Sequence, residues 1–344
     1  MGLLPKVAAA VLVAAACLTA GSAAASSGAT PKNGRIVFQR FDPKLGKTRL
    51  YTVQADGRGL RAITKPVGLA DVDSQPDWSP DGRRILFRRI DNLGRPDEHV
   101  DIYVAGADGR GLRNLTRSSC TGLCVTNEEP AWSPDSKRIA FVRTIGPVPA
   151  GRQPRTVGIF VMNADGTRVR QLTQRKGSSV TEDHAPSWSP DGKRIALVSV
   201  NITAKPAGAS VIYVIDADGT HPHAVRSMPH GWPGAGAPSW SPDGKRILYS
   251  TYCWFGTCGQ PATGAQLFSV GADGKNPRQL TRVAGNAIGG RWSPDGRKIV
   301  FVRNPRVGPT GEVYTMNSDG ASLRRISVGL DLGARNPDWG TSSQ

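Results

Sequence analysis

The chain has 344 residues, with 44 Lys and Arg against 27 Asp and Glu, a formal net charge of +17. That length exceeds what one ordinary hydrophobic core organises, unless the architecture is a closed ring of repeats. The basic excess would allow attraction to anionic envelope polymers or phospholipid head groups, although turn aspartates partly neutralise it. Export, read next, and the lack of interleaved exposed aromatics argue against nucleic-acid reading.

Residues Met1 to Ala25 hold one basic residue (Lys6), an apolar run from Val7 to Ala16, and small residues ending in Ala23-Ala24-Ala25. This is the layout of a secretory signal peptide cleaved after Ala25. The run is too short for a comfortable bilayer span, which takes about 20 apolar residues. Lipid attachment at Cys17 is the competing expectation, weakened by Ala14 standing where a lipobox carries Leu. No later segment reads as transmembrane. Residues 26–31 are a short linker, and 32–344 form the folded part. The remaining cysteines fall in two close pairs, Cys120/Cys124 and Cys253/Cys258. In an exported chain these read as two short-loop disulfides; a four-thiolate zinc site is the sharper alternative.

The dominant signal is a repeat. WSPDG or a near copy begins at Trp78, Trp132, Trp188, Trp240 and Trp292, and a sixth Trp, Trp339, sits in PDWG near the end. Each full motif is followed by a basic pair and an apolar run such as RRILF or KRIALV. A further run of this kind, GRIVF at 34–38, lacks the motif ahead of it. Six ADG or SDG turns follow, at Asp56, Asp108, Asp165, Asp218, Asp273 and Asp319, each leading into a short RxLT-like segment. Blade four departs from this, with HPHAV at 221–225. Ser-Pro-Asp-Gly suits a type I turn, with Pro fixing φ at the second place. ADG is a second tight-hairpin signal. The strands between are rich in Ile, Val, Phe and Tyr, and their continuous apolar runs predict burial of both faces.

Each unit therefore reads as four antiparallel strands: one ending at the Trp, one after SPDG, one ending at ADG, and the RxLT strand. The chain enters on a second strand and leaves on a lone first strand at Trp339. The expected fold is an all-β, six-bladed propeller whose C-terminal strand joins the N-terminal blade, leaving no free sheet edge.

WSPDGKR-I-hydrophobic, then YVxxADG, then RxLT, resembles the repeat of the TolB-type propeller family over roughly residues 32–340. The resemblance implies a six-bladed propeller, export, and protein–protein contacts in the cell envelope. TolB itself carries an α/β domain ahead of its propeller, a place occupied here by the signal peptide. The resemblance is therefore to the stand-alone members.

The SPDG and ADG turns are short and nearly constant, whereas the other connections vary in length and emerge together on the opposite face. Such a face is where specific function is expected. Two patches lie there. Asp71, Asp73, Glu128, Glu129, Glu182 and Asp183 come from three consecutive units, as does His184 beside them. They could gather round a cation such as calcium or a basic segment, or simply balance nearby arginines. Trp232, Tyr252, Trp254 and Phe255 surround the second cysteine pair and form an aromatic patch suited to binding, unless the rings fold inward. The basic pairs that open each second strand ring the constant face. The repeat tryptophans read as packing between units.

No GxSxG elbow and no appended hydrolase domain is present. The function expected is therefore a non-catalytic binding scaffold, monomeric, with an envelope or extracellular protein partner and no cofactor beyond a cation at the channel mouth. The alternative is a metal-dependent polysaccharide lyase, for which His99, His184 and His230 are the loop histidines available; His221 and His223 read as surface residues.

Overall fold

The structure, a computed structural model, describes residues 31–342 apart from 67, 69–70, 96, 118–119, 122, 148–155, 174–180, 202–208, 229–233, 253–263, 305–310 and 327–332. Every regular element in it is a β-strand.

The turn chemistry sets the repeat. In the first full motif the Gly82 amide donates to the Ser79 carbonyl at 2.8 Å, closing the Ser-Pro-Asp-Gly turn. The Ser79 hydroxyl donates to Asp81 at 2.5 Å and accepts the Arg84 amide at 2.9 Å. The same hydroxyl–aspartate bond recurs at Ser133, Ser189, Ser241 and Ser293. These bonds hold the carboxyls of Asp81, Asp135, Asp191, Asp243 and Asp295 below the usual range, overcoming the burial that acts to raise them. Where Ser136 replaces the glycine it takes φ +57° and still closes the turn.

Strands pair as four antiparallel sets of four plus one nine-stranded sheet. The first set orders Arg335–Thr341, Asn33–Asp42, Lys47–Val53 and Arg61–Ala62. The C-terminal strand thus pairs with the N-terminal one, Ile36 lying opposite Trp339. The nine-stranded sheet contains two further four-strand sets, opening at Val72–Trp78 and at Leu123–Trp132, joined by a single parallel pair between Val100 and Thr126. A two-residue strand, Cys120–Thr121, adds to it. The other three sets open at Thr181–Trp188, Gly234–Trp240 and Asn286–Trp292. Fourth strands are only two residues long, except His223–Ser227, so HPHAV yields more strand than the RxLT sequences it replaces.

The apolar runs bury both faces, as their continuity predicts. Ile36 and Phe38 pack with Val300 and Val313 of the last set, while Val37 between them packs with Trp78 and Phe87 of the next. Similar clusters lie between the sets that follow. The repeat tryptophans Trp78, Trp132, Trp188, Trp240 and Trp339 are buried. The second basic residue of three pairs is drawn into this packing: Arg84, Arg138 and Arg194 lie over Trp132, Trp188 and Trp240 at 4.4, 4.5 and 4.9 Å. The charge expected to ring the constant face is thus partly spent on cation–π contacts between sets.

The ADG glycines serve packing as well as turning. A Cβ on Gly219 (φ +96°) would lie 2.6 Å from the Leu172 carbonyl oxygen, and one on Gly57 would lie 2.8 Å from that of Ile326. Each such turn presses on the fourth strand of the preceding set, and for Gly57 that set is the last in the sequence. No helix among the described residues is long and apolar enough to cross a membrane.

Candidate functional site

The Trp-bearing strands share a local irregularity three residues before the Trp. Gln75, Glu129, Ala185, Ala237, Gly289 and Asn336 all have φ between 47° and 64°, and all lie in register shifts of the ladder. Pro follows in every case but one, Gly290. Proline disfavours right-handed helical backbone in the residue ahead of it, and a bulge absorbs the extra residue in a left-handed turn. These six residues line two adjoining cavities of about 430 and about 530 Å³. The Trp-side cavity also takes in three prolines of the SPDG turns, Pro80, Pro242 and Pro294, and the other takes in Gln39, Arg88, Asn286 and Arg335.

Side chains stitch half of this girdle together. The Gln75 amide donates to Gln39 Oε1 at 3.0 Å, the Glu129 amide to Gln75 Oε1 at 2.9 Å, and the Ala185 amide to Glu129 Oε2 at 2.6 Å. Burial, opposed by His184 and reinforced by Glu128, raises the Glu129 carboxyl. His184 Nδ1 lies 3.8 Å from Glu129, and its Nε2 lies 3.5 Å from Glu182. Burial alone lowers the imidazole, but Glu182, Glu129 and Glu128 outweigh it, so His184 is raised.

The acidic residues expected at one mouth are thus brought to neighbouring strands, not to one point. Asp73, fully buried, is gripped by Arg89 at 2.6 and 3.0 Å, and Arg89 lies over Phe87 and Tyr103. Glu128 faces Arg88 at 3.5 Å. Asp71 accepts the Gly68 amide at 2.5 Å, and half-buried Asp183 sits opposite Ser199. Among the described residues, no group of three or more His, Cys, Asp and Glu is placed to hold a metal ion.

Trp232, Trp254, Phe255, Cys253, Cys258 and His230 lie outside the described residues. Tyr252 ends the strand Arg246–Tyr252, and its backbone pairs with Gly234, setting the described ends of the two aromatic segments side by side. Cys120 and Cys124 are direct backbone partners. His99 opens the strand His99–Gly106 with Nδ1 buried and unpartnered. His221 bonds Asp216 at 2.8 Å on the surface, and His223 is exposed.

One pair escaped the sequence reading. Asp77 and Asp338, each directly ahead of a repeat Trp, line the Trp-side cavity. Asp338 accepts the Trp78 amide at 2.7 Å, and Asp77 accepts the Trp132 amide at 2.8 Å. Burial, and for Asp77 the neighbouring Asp338 charge, raises both carboxyls; Arg291 opposes this. The PDW triplets at 76–78 and 337–339 were its only sequence signal.

The TolB beta propeller domain model matches residues 117–252 and 159–343, together well over half of the sequence. The chain belongs to the TolB β-propeller family. Among curated family relatives, an uncharacterized protein of Agrobacterium fabrum is 26% identical over 214 residues, covering 61% of this chain and 64% of that protein. The Tol-Pal system protein TolB of Anaeromyxobacter dehalogenans is 33% identical over 191 residues, covering 55% of this chain and 39% of its own. The chain therefore spans less than two thirds of these relatives' length. Crystalline TolB from Acinetobacter baumannii superimposes with a TM-score of 0.63 at 20% identity, over 89% of this chain and 66% of that one. The fold is also shared with an enzyme, oligogalacturonate lyase in complex with manganese, at 14% identity and a TM-score of 0.50, over 86% of this chain and 74% of that one.

Proposed function

We propose that this TolB-family chain is an exported, non-catalytic scaffold that binds an envelope or extracellular protein through the face opposite the SPDG turns. The carrier is a six-bladed propeller closed by its C-terminal strand. Supporting closure are the Ile36–Trp339 pairing, the Gly57–Ile326 approach and the amide bond from Trp78 to Asp338. Export rests on the signal-peptide layout of residues 1–25, and the backbone pairing of Cys120 with Cys124 favours a disulfide there.

One observation carries the binding reading. Glu128, Glu129 and Glu182 are engaged by an arginine, an amide and a histidine, and Glu129 lines the cavity with Gln75 and Gln39, so that side presents a fixed pattern of donors and acceptors. A preformed polar cavity with few adjustable groups suits recognition. The test is cross-linking and affinity capture of the mature protein from its own envelope, beside Glu129→Ala and Trp254→Ala variants. A partner captured by wild type and lost in the variants is expected; the absence of any reproducible, variant-sensitive partner overturns the reading.

The lyase alternative draws on the shared fold and on the loop histidines His99, His184 and His230, although among the described residues no cluster is placed to hold a metal ion. Elemental analysis of the purified protein tests it: a stoichiometric divalent metal lost on His184→Ala supports a lyase, and metal-free protein disposes of it.

A further inference from the structure

Half of the girdle is finished by side chains and half is not. At 75, 129 and 185 the left-handed residue donates its amide to a side-chain oxygen of the preceding set. The residues that would serve the next three amides in the same way are Ala185, Ala237 and Gly289, none of which carries a side-chain oxygen. The amides of Ala237, Gly289 and Asn336 therefore lack the acceptor that their counterparts have. All three residues fall in register shifts and have no ladder partner. All three line both cavities, and no bulky side chain at 185, 237 or 289 fills the space beside them.

The electrostatics of this half differ from those of the other. Arg335 is exposed, lines the same cavity and makes no ion pair among the described residues. Arg291 lines the Trp-side cavity with Asp77 and Asp338. Across the cavity, the Glu129 charge is opposed by His184. Backbone N–H groups lining one cavity beside a guanidinium favour anionic oxygen ligands, and planar carboxylates suit both donors.

We propose that the amides of Ala237, Gly289 and Asn336, with the Arg335 guanidinium, form a carboxylate-binding half-ring. The ligand's oxygens would take the place that the Gln75 and Glu129 side chains fill opposite. This deepens the scaffold reading by naming what a partner presents: an acidic side chain or a free C-terminus. The half-ring itself belongs to the isolated chain, so its test needs no partner.

The experiment titrates ¹⁵N-labelled mature protein with sodium glutarate and, separately, with sodium chloride. Saturable shifts of the Ala237, Gly289 and Asn336 amide resonances are expected with glutarate alone, while Gln75, Glu129 and Ala185 stay put. Ala237→Gln supplies the Gly289 amide with the acceptor that Gln75 gives Glu129, at a φ that Gln75 already tolerates. It should weaken glutarate binding about tenfold, the scale of one charge-assisted hydrogen bond. Arg335→Gln should weaken it similarly, and stands as the test if Ala237→Gln fails to fold. A peptide with a free C-terminus, against its amide-capped twin, separates the sources: preference for the free end assigns a C-terminal carboxylate, and equal binding assigns a side chain. Unmoved half-ring amides, shifts equal in chloride, or undiminished affinity in both variants overturn the proposal. Captured partners alongside unmoved amides would leave the scaffold reading standing without it, whereas moving amides with no partner would do the reverse.

Discussion

The carboxylate of Glu129 accepts the backbone amide of Ala185, 56 residues further along the chain, at 2.6 Å. The contact joins two four-strand sets at their most irregular point, where each backbone is left-handed. Truncation by Glu129→Ala should strand that part-buried amide and cost about 1 kcal/mol, the scale of one hydrogen bond. Glu129→Gln keeps an acceptor oxygen and should cost clearly less. Urea denaturation of both variants checks the order, and equal losses would show that the carboxylate's charge, rather than its acceptor, matters.

The neighbouring imidazole gives the fold a pH dependence with a definite sign. His184 is raised above its ordinary value of 6.5 by Glu182, Glu129 and Glu128, against the burial that lowers it, and Glu128 is itself paired with Arg88. A raised base binds its proton more tightly folded than unfolded, so its stabilisation is complete below pH 6.5 and fades as pH climbs through the folded value. The stability gap between wild type and His184→Gln should therefore narrow between about pH 6 and about pH 8. Chemical denaturation at the two pH values measures it; a gap independent of pH would show that the proton is not shared with these carboxylates.

Asp73 and Arg89 form the most buried ion pair among the described residues, with side-chain exposures of 0% and 5%. Asp73→Ala removes both hydrogen-bonded acceptors of the guanidinium, leaving it over Phe87 and Tyr103 with only the more distant Asp91 charge, and should destabilise by about 3 kcal/mol. Replacing both partners by apolar residues should recover much of that. Denaturation midpoints of the single and double variants decide the matter.

The C-terminal strand Arg335–Thr341 completes the sheet begun by Asn33–Asp42. Truncation after Ala334 exposes an unpaired edge and removes Trp339, which is 4% exposed. Cooperative thermal unfolding should be lost, with aggregation in its place. A sharp transition in the truncated protein would contradict a role for that strand in closing the fold.

Two glycines separate turn strain from close packing. Gly46 (φ +66°) has open space around it, whereas Gly219 (φ +96°) abuts the Leu172 carbonyl. Gly46→Ala should cost about 1 kcal/mol from backbone conformation alone. Gly219→Ala should cost at least about 2 kcal/mol, since the backbone of the adjoining set must shift as well. Melting temperatures of the two variants give the comparison.

Strand order, turn positions and two-faced burial were legible without coordinates, because they rest on local chemistry that each repeat states again. Ser-Pro-Asp-Gly closes its own turn through the Ser79 hydroxyl, and an unbroken run such as Ile36-Val37-Phe38 has no face to spare for water. That the C-terminal strand pairs with the N-terminal one was legible from the odd strand at each end; the register, Ile36 opposite Trp339, was not. What the sequence could not state was which polar groups meet across sets. The acidic residues at 71, 73, 128–129 and 182–183 read either as one cluster or as partners of nearby arginines, with no partner named; in the structure Asp73 belongs to Arg89, Glu128 to Arg88, and Glu129 to Ala185 and His184. Those pairings join residues 16 to 56 positions apart, and a local motif carries no information at that range. The left-handed girdle and the Asp77–Asp338 pair likewise exist only once separate strands are side by side. There burial, rather than sequence, fixes which charges can persist.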